Sequence, residues 1–352
     1  PTMASATKKP RPRILQWNVR SLRRRHRELV RSLPQRELDV LALQETHVRA
    51  GELNIPGHVA YHSATECERA DCVSPHCTQL LHRPGCSRAS IYVRARLPQS
   101  AVDIADILCP GVECVAVRVR VGAVDTAIAS VYVRYPRLWD PQFIVRLVDR
   151  LGASAVVCGD FTSHHTAWGS AGVNNPGRKV LDASLAAGLH LLNDGRNTFL
   201  RRGSAPSAID LSFVTEDCRY RWFRSPDTEG SDHYPICLEP LCARPDQTRA
   251  YSVVNFSRFR ELCAAVPVAG DVFTHIAECA REATVKCRVP ANTPVPDIKQ
   301  LNLRAARRRA QRRAERSERA EDWTVYNRID AVCRRHAHHR YAESWSSLCR
   351  SF

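Results

Sequence analysis

Short runs dense in Val, Ile and Leu recur along the chain: RILQWN (13–18), DVLALQE (39–45), ASIYVR (89–94), CVAVRVRV (114–121), TAIASVYV (126–133), SAVVCGD (154–160), AIDLSFV (208–214) and YPICLE (234–239). Their shortness and β-branched content predict strands. Three intervening stretches place apolar residues three or four apart: SLRRRHRELVRSL (21–33), DPQFIVRLVDRL (140–151) and PGRKVLDASLAAGL (176–189). That spacing predicts helices, with Asp140 as an N-cap and Pro176 near a helix start. Strands predominate and some alternate strictly, which fits sheets half covered by helices better than a doubly wound parallel sheet.

After Pro240 the pattern loosens into a Pro-punctuated stretch, so 241–300 is expected to be a linker with short helices. LNLRAARRRAQRRAERSERAEDW then predicts a basic helical extension over 301–352, with an exposed helix as the default. Residues 1–12 are expected to form a disordered basic tail, leaving 13–240 as the main domain. The formal charge of +16 is clustered. Between Lys8 and Arg36 eleven Lys or Arg face one acid, Glu28, and between Arg304 and Arg319 eight Arg face two Glu. Such clusters suit a polyanion, although a solvated face explains either one alone. The chain contains no run of 18 or more uncharged apolar residues, and its start has no secretory apolar segment. These features predict a soluble intracellular protein without a membrane partner. The fifteen cysteines are irregularly spaced and read as reduced thiols. Beginning at Pro1 and stopping in mid-pattern at Phe352, the chain reads as a piece of a longer product.

Polar groups collect at the strand ends: Asn18 after ILQW, Glu45 after VLALQ, Tyr132 within SVYVRY, Asp160 after VVCG, Asp210 opening DLSFV, and Asp232 with His233 before YPICL. Each alone reads as a turn or cap residue. Together they supply what phosphodiester hydrolysis requires. Glu45, with oxygens from Asn18 and Asp232, offers the hard ligands that Mg2+ prefers. Asp160 can orient or deprotonate a water. His233, held by Asp210, can bond a phosphate or transfer a proton, and Tyr132 adds a phenolic donor.

QWNVRS, LALQETH, SVYVRYP, CGDFTSHH, SAIDLSFV and SDHYPI stand in the order, and at about the separations, of the endonuclease/exonuclease/phosphatase superfamily. Over 13–240 the chain resembles most the apurinic-type endonuclease domain of non-LTR (LINE-like) retrotransposons. The resemblance implies a four-layer α/β sandwich, two packed mixed sheets flanked by helices, with the strand-end residues gathered at one edge. It implies metal-site roles for Asn18 and Glu45, with Asp232 beside the metal, and Mg2+ as cofactor with Mn2+ as a substitute ion. It makes His233 the phosphate-side histidine oriented by Asp210, Tyr132 the cleft tyrosine and Asp160 the water-aligning acid. Thr162 departs from the pattern, which has Asn at that place. Threonine offers one hydroxyl donor where an amide both donates and accepts.

DNA is the partner so implied, with Arg20, Arg23, Arg24 and Arg25 at the cleft mouth neutralising phosphates. His164 and His165 are placed to reach a phosphate. Trp168 reads either as a base-stacking residue or as a packing anchor, the second being the plainer reading. Element RNA and a reverse transcriptase beyond residue 352 are further expected partners, since no YxDD-type motif occurs here. RRRAQRR would serve nuclear import. Cys67, Cys72, Cys77 and Cys86 suggest zinc, although their spacing lacks tight CxxC pairs. The expected function is metal-dependent nicking of target DNA for retrotransposon integration. An abasic-site repair endonuclease and a catalytically silent DNA-binding relic are the competing readings.

Overall fold

The computed structural model describes residues 11–33, 36–63, 86–201, 203–241, 248–254, 256–265, 271–290 and 297–350. Two mixed six-stranded sheets form its main body. The first contains β1 (Ile14–Asn18), β2 (Val40–Val48), β3 (His58–His62), β4 (Ser87–Arg94), β11 (Tyr220–Arg224) and β12 (Ile236–Pro240), in the order β11-β12-β1-β2-β4-β3. The second contains β5 (Gln99–Ala101), β6 (Val112–Val121), β7 (Val124–Val133), β8 (Ala155–Asp160), β9 (His190–Leu191) and β10 (Asp210–Val214), in the order β5-β6-β7-β8-β10-β9. All eight strands expected from the apolar runs are present. The four others, β3, β5, β9 and β11, occupy sheet edges, where half-exposed short strands lack a dense apolar run.

Alternation explains how the layers assemble. Ile14, Val40, Ala42 and Ile91 of the first sheet pack on Val117, Ile128, Val156 and Cys158 of the second, forming the inter-sheet core. Phe143, Leu147 and Leu151 of α2 (Gln142–Leu151) and Val180 and Ala183 of α3 (Asn175–Ala186) cover the outer face of the second sheet. Leu22, Leu29 and Leu33, on and just after α1 (Leu22–Ser32), cover the outer face of the first. Helix, sheet, sheet and helix make the four layers. Asp140 accepts from the Gln142 amide at 3.0 Å at the start of α2, and the Asn174 side chain caps α3 through the Gly177 amide at 2.7 Å.

Three expectations about the flanks change. Arg11 is not part of a tail, because its guanidinium is buried and bonds Ser154 Oγ at 2.6 Å and the Asp217 carbonyl at 2.6 Å. The basic helix is not an exposed extension either. α6 (Ile298–Ser317) and α7 (Ala320–Arg350) belong to the same compact unit as the sandwich, and Arg307 of α6 is wholly buried. A separate small unit, 244–295, replaces the expected linker. It holds an antiparallel pair, β13 (Thr248–Val254) with β14 (Thr284–Pro290), and two helices, α4 (Phe256–Ala265) and α5 (Val272–Glu282). Among the described residues no helix is long and apolar enough to cross a membrane.

Candidate active site

Topology explains why residues distant in sequence meet. β1 and β2 run parallel, as do β7 and β8, so Asn18, Tyr132 and Asp160 lie at or near C-terminal strand ends. β10 runs antiparallel to β8, which sets the first residue of one, Asp210, opposite the last of the other, Asp160. Tyr132 is the Asp160 partner on β7. His233 shortly precedes β12, which runs antiparallel to β1. Starts and ends of strands thus fall at one edge of the sandwich.

A web of short contacts follows. The Asn18 amide donates to Glu45 Oε1 at 3.1 Å and to Asp160 Oδ2 at 2.9 Å, and the Tyr132 hydroxyl donates to the same Glu45 oxygen at 3.3 Å. Glu45 has φ 50° and lies in an irregular register of β2 between Gln44 and Val48. A bulge of that kind re-aims a side chain toward the cleft. The His233 ring bonds Asp210 through Nδ1 at 2.8 Å and holds Nε2 3.8 Å from Asp160. Asp160, Asp210 and His233 bring ligand atoms within 4.8 Å of one another, a set that could hold a metal ion.

Electrostatics assigns the protons. Burial alone would lower the His233 pKa, but Asp210, Asp160 and Asp232 outweigh it and raise the value to about 10. Burial pushes Asp160 up to about 7 against the opposing pull of His233. Burial, together with Glu45 and Asp160, holds the Tyr132 phenol well above its usual range. At neutral pH His233 is therefore an imidazolium without a free lone pair, and a cation joining this trio must first displace its proton. Glu45 suits a hard cation better. Its side chain is 26% exposed, and with Oε1 engaged by Asn18 and Tyr132, Oε2 has the His47 ring 4.0 Å away.

These shifts set a pH dependence of stability. The folded state prefers a protonated Asp160, so this group's contribution falls as pH rises from its ordinary carboxylate range through about 7. The raised His233 value acts with the same sign: its contribution is full below about 6.5 and is lost as pH rises through about 10. In chelator, the melting temperature of Asp160→Asn relative to wild type is expected to climb between about pH 5 and about pH 8. A difference flat in pH would remove Asp160 from this role.

Not every expected residue takes the expected place. Asn18 acts here as a donor joining two carboxylates, while its Oδ1 accepts from the Arg20 amide at 3.1 Å. Asp232 pairs with Arg20 at 3.5 Å. Arg25 is corrected outright: it is buried, pairs with Asp330 at 3.3 Å and bonds the Gly230 carbonyl, so it cannot reach a phosphate. Trp168 takes the plainer of its two readings, a packing anchor, and leaves the DNA-contacting set: it is wholly buried with its indole N–H on the Ser163 carbonyl at 3.1 Å. His164 and His165 are half-buried, and the His165 ring accepts from the Ala167 amide. Arg23 pairs with Glu52, and Arg24 is exposed. Of the four thiols suggested for zinc, Cys67, Cys72 and Cys77 lie outside the described residues; Cys86 is a buried free thiol.

Thr162 is turned inward. Its amide bonds Asp160 Oδ1 at 3.0 Å, and its hydroxyl lies 3.0 Å from the Val133 carbonyl and 3.3 Å from Asp160 Oδ1. Its φ of 47° is left-handed, a region that Asn tolerates and that a β-branched residue resists.

Other supports have weak sequence signals. Gln16 of β1 donates to the Gly159 carbonyl at 3.0 Å and accepts from Ser212 at 2.6 Å, while Gln44 of β2 donates to Ser130 at 2.9 Å, so both tie the first sheet to the second. Gly159 is required beside them because a Cβ there would strike the Val131 carbonyl. The Trp17 indole bonds the His233 carbonyl at 3.0 Å, and the Thr198 hydroxyl accepts from the Asp210 amide at 3.0 Å. The turn before Asp232 rests on the C-terminal helices. Thr228 meets Tyr326 at 3.1 Å, and Tyr234 donates to Glu315 at 2.7 Å. Gly230, at φ 81°, has Asp330 and Arg25 where a Cβ would stand. Arg307 joins Glu28 at 2.8 Å, Asp227 at 3.3 Å and Asp330 at 3.1 Å. An open groove of about 570 Å3, lined by Arg23, Arg24, Arg27, Arg334 and Arg335, merges α1 with α7. The basic run near the N-terminus thus shares a surface with arginines from the end of the chain.

Fold and cleft together define an α/β sandwich with an acid–base cluster at one sheet edge. The model of the Endonuclease/Exonuclease/phosphatase family matches residues 15–233, and the chain belongs to that family. It is similar to the RNA-directed DNA polymerase from mobile element jockey of Drosophila melanogaster, at 29% identity over 67% of this chain and 24% of that one. A probable RNA-directed DNA polymerase from transposon BS, also of Drosophila melanogaster, is 22% identical over 90% of this chain and 36% of its own length. The chain thus spans about a quarter of the jockey relative. Among solved structures, the endonuclease domain of TRAS1, a telomere-specific non-LTR retrotransposon, superposes with a TM-score of 0.50 at 22% identity, over 65% of this chain and 97% of that one. That likeness bears on the fold.

Proposed function

We propose that this chain is the endonuclease portion of a non-LTR retrotransposon polyprotein, and that it nicks one strand of target DNA with Mg2+, leaving a 3′ hydroxyl to prime reverse transcription. The meeting of Asn18, Glu45, Tyr132, Asp160, Asp210 and His233 at one sheet edge carries this reading. The mobile-element relatives and the arginine-lined groove support the choice of partner. Element RNA, a reverse transcriptase following this chain and action in the nucleus belong to the same proposal.

Glu45 would hold the ion, and Asn18 and Asp232 would join it by turning oxygens that now face Arg20. When bound, Mg2+ supplies Lewis-acid stabilisation of charge on the phosphoryl oxygens. The protein groups do the rest. Asp160, with a pKa near neutrality, orients the attacking water and takes its proton. His233, fixed through Nδ1, presents Nε2–H as a charged donor. Tyr132 remains protonated and serves as a neutral donor. Plasmid nicking in Mg2+ that survives Glu45→Ala unchanged would defeat this assignment.

The inward hydroxyl of Thr162 favours a second reading, a DNA-binding relic with little activity. Thr162→Asn separates the two. Asn suits the left-handed backbone and offers an amide, so the variant is expected to nick supercoiled plasmid about 10²–10³ times faster than wild type, by analogy with a restored oxyanion donor. An unchanged rate removes Thr162 from the mechanism.

A further inference from the structure

The small unit 244–295 carries a cluster of metal-ligating side chains between its two helices. Along α5 only Cys279 is buried, whereas Phe273 is 82% exposed and Val272 52% exposed. A helix that buries so little of itself is held more firmly by a metal or a covalent link to its neighbour. Cys263 on α4 and His275 on α5 are half-buried, Cys279 on α5 is buried, and their ligand atoms all lie within 4.8 Å of one another. His275 and Cys279 stand one helical turn apart on the same face. Cys263 comes from the neighbouring helix.

We propose that Cys263, His275 and Cys279 form a structural zinc site that joins α4 to α5. Two thiolates and an imidazole are the borderline-soft donor set that selects zinc over the hard Mg2+ suited to Glu45. The distances fit. Zn–S near 2.3 Å and Zn–N near 2.0–2.1 Å at a tetrahedral angle put sulfur and nitrogen about 3.5 Å apart, and Cys279 Sγ lies 3.6 Å from His275 Nε2. Zinc binding displaces the two thiol protons, and a water completes the coordination. The site lies outside both the family match and the sandwich, so it is independent of the proposed nuclease chemistry.

The test uses the full chain. After exhaustive dialysis, wild type is expected to retain about one more equivalent of zinc than Cys279→Ser or His275→Ala. Cobalt reconstitution should show thiolate-to-cobalt charge-transfer absorption that weakens in both variants; oxygen ligands at the cleft give no such band, and thiols elsewhere cancel in the comparison. Should the variants fold poorly, hydrogen exchange on wild type decides. A zinc chelator is expected to abolish amide protection across α5 while sparing β7 and β8. Equal metal content in wild type and variants, unchanged protection after chelation, or a Cys263–Cys279 disulfide in peptide maps would each overturn the proposal.

Discussion

His233→Asn is expected to slow Mg2+-dependent nicking by about 10²–10⁴-fold, the range for losing a positioned acid–base group. The substitution removes the charged donor from the Asp160–His233–Asp210 line and leaves an amide with no titratable proton. Asp210→Asn should move activity in the same direction, because the Asp210 carboxylate both orients the ring and helps hold it protonated. Plasmid nicking, read beside DNA affinity and the far-UV spectrum, makes the check: a rate that falls with affinity and fold intact places His233 in the chemistry. A rate within about a factor of two of wild type would exclude it.

Arg307→Leu is expected to destabilise the protein by about 3–5 kcal/mol, because removing one partner of a buried ionic cluster leaves the others uncompensated. Burial disfavours the Arg307 charge, yet Glu28 and Asp227 hold its pKa well above the usual value. Asp227 itself is pushed up by burial and drawn back by Arg307. Without the guanidinium Asp227 loses its cation, while Glu28 keeps only Arg304 at 3.9 Å and Asp330 keeps Arg25 and Arg334. Urea unfolding of the full chain measures the loss. Glu28→Gln added to Arg307→Leu should recover part of it, whereas a change under about 0.5 kcal/mol would mark the cluster as neutral.

The contrast between these residues shows what the sequence carried. Asp160 and His233 were legible because a carboxylate or imidazole directly beside a dense apolar strand is unusual, and six such blocks seldom fall in one order by chance. The central strands and α1, α2 and α3 were legible from their periodicity. Arg25 and Arg307 were not, because a basic run looks the same whether its members face water or meet acids hundreds of positions away. One signal existed: Glu28, the lone acid among eleven basic residues, now bonded to Arg307. Trp168 was ambiguous because apolar size alone does not distinguish an anchor from a stacking platform. Gln16 and Gln44 escaped notice since an amide inside a strand announces itself only when the facing sheet is known.

Those two glutamines have a mechanical consequence. By crossing the gap between the sheets next to the acidic edge, they bolt the floor of the cleft, and a floor so fastened has little room to reshape itself around a guest. The work of fitting then passes to whatever polymer enters, and strands that bend or twist cheaply into that fixed outline would be preferred over stiffer ones of equal charge.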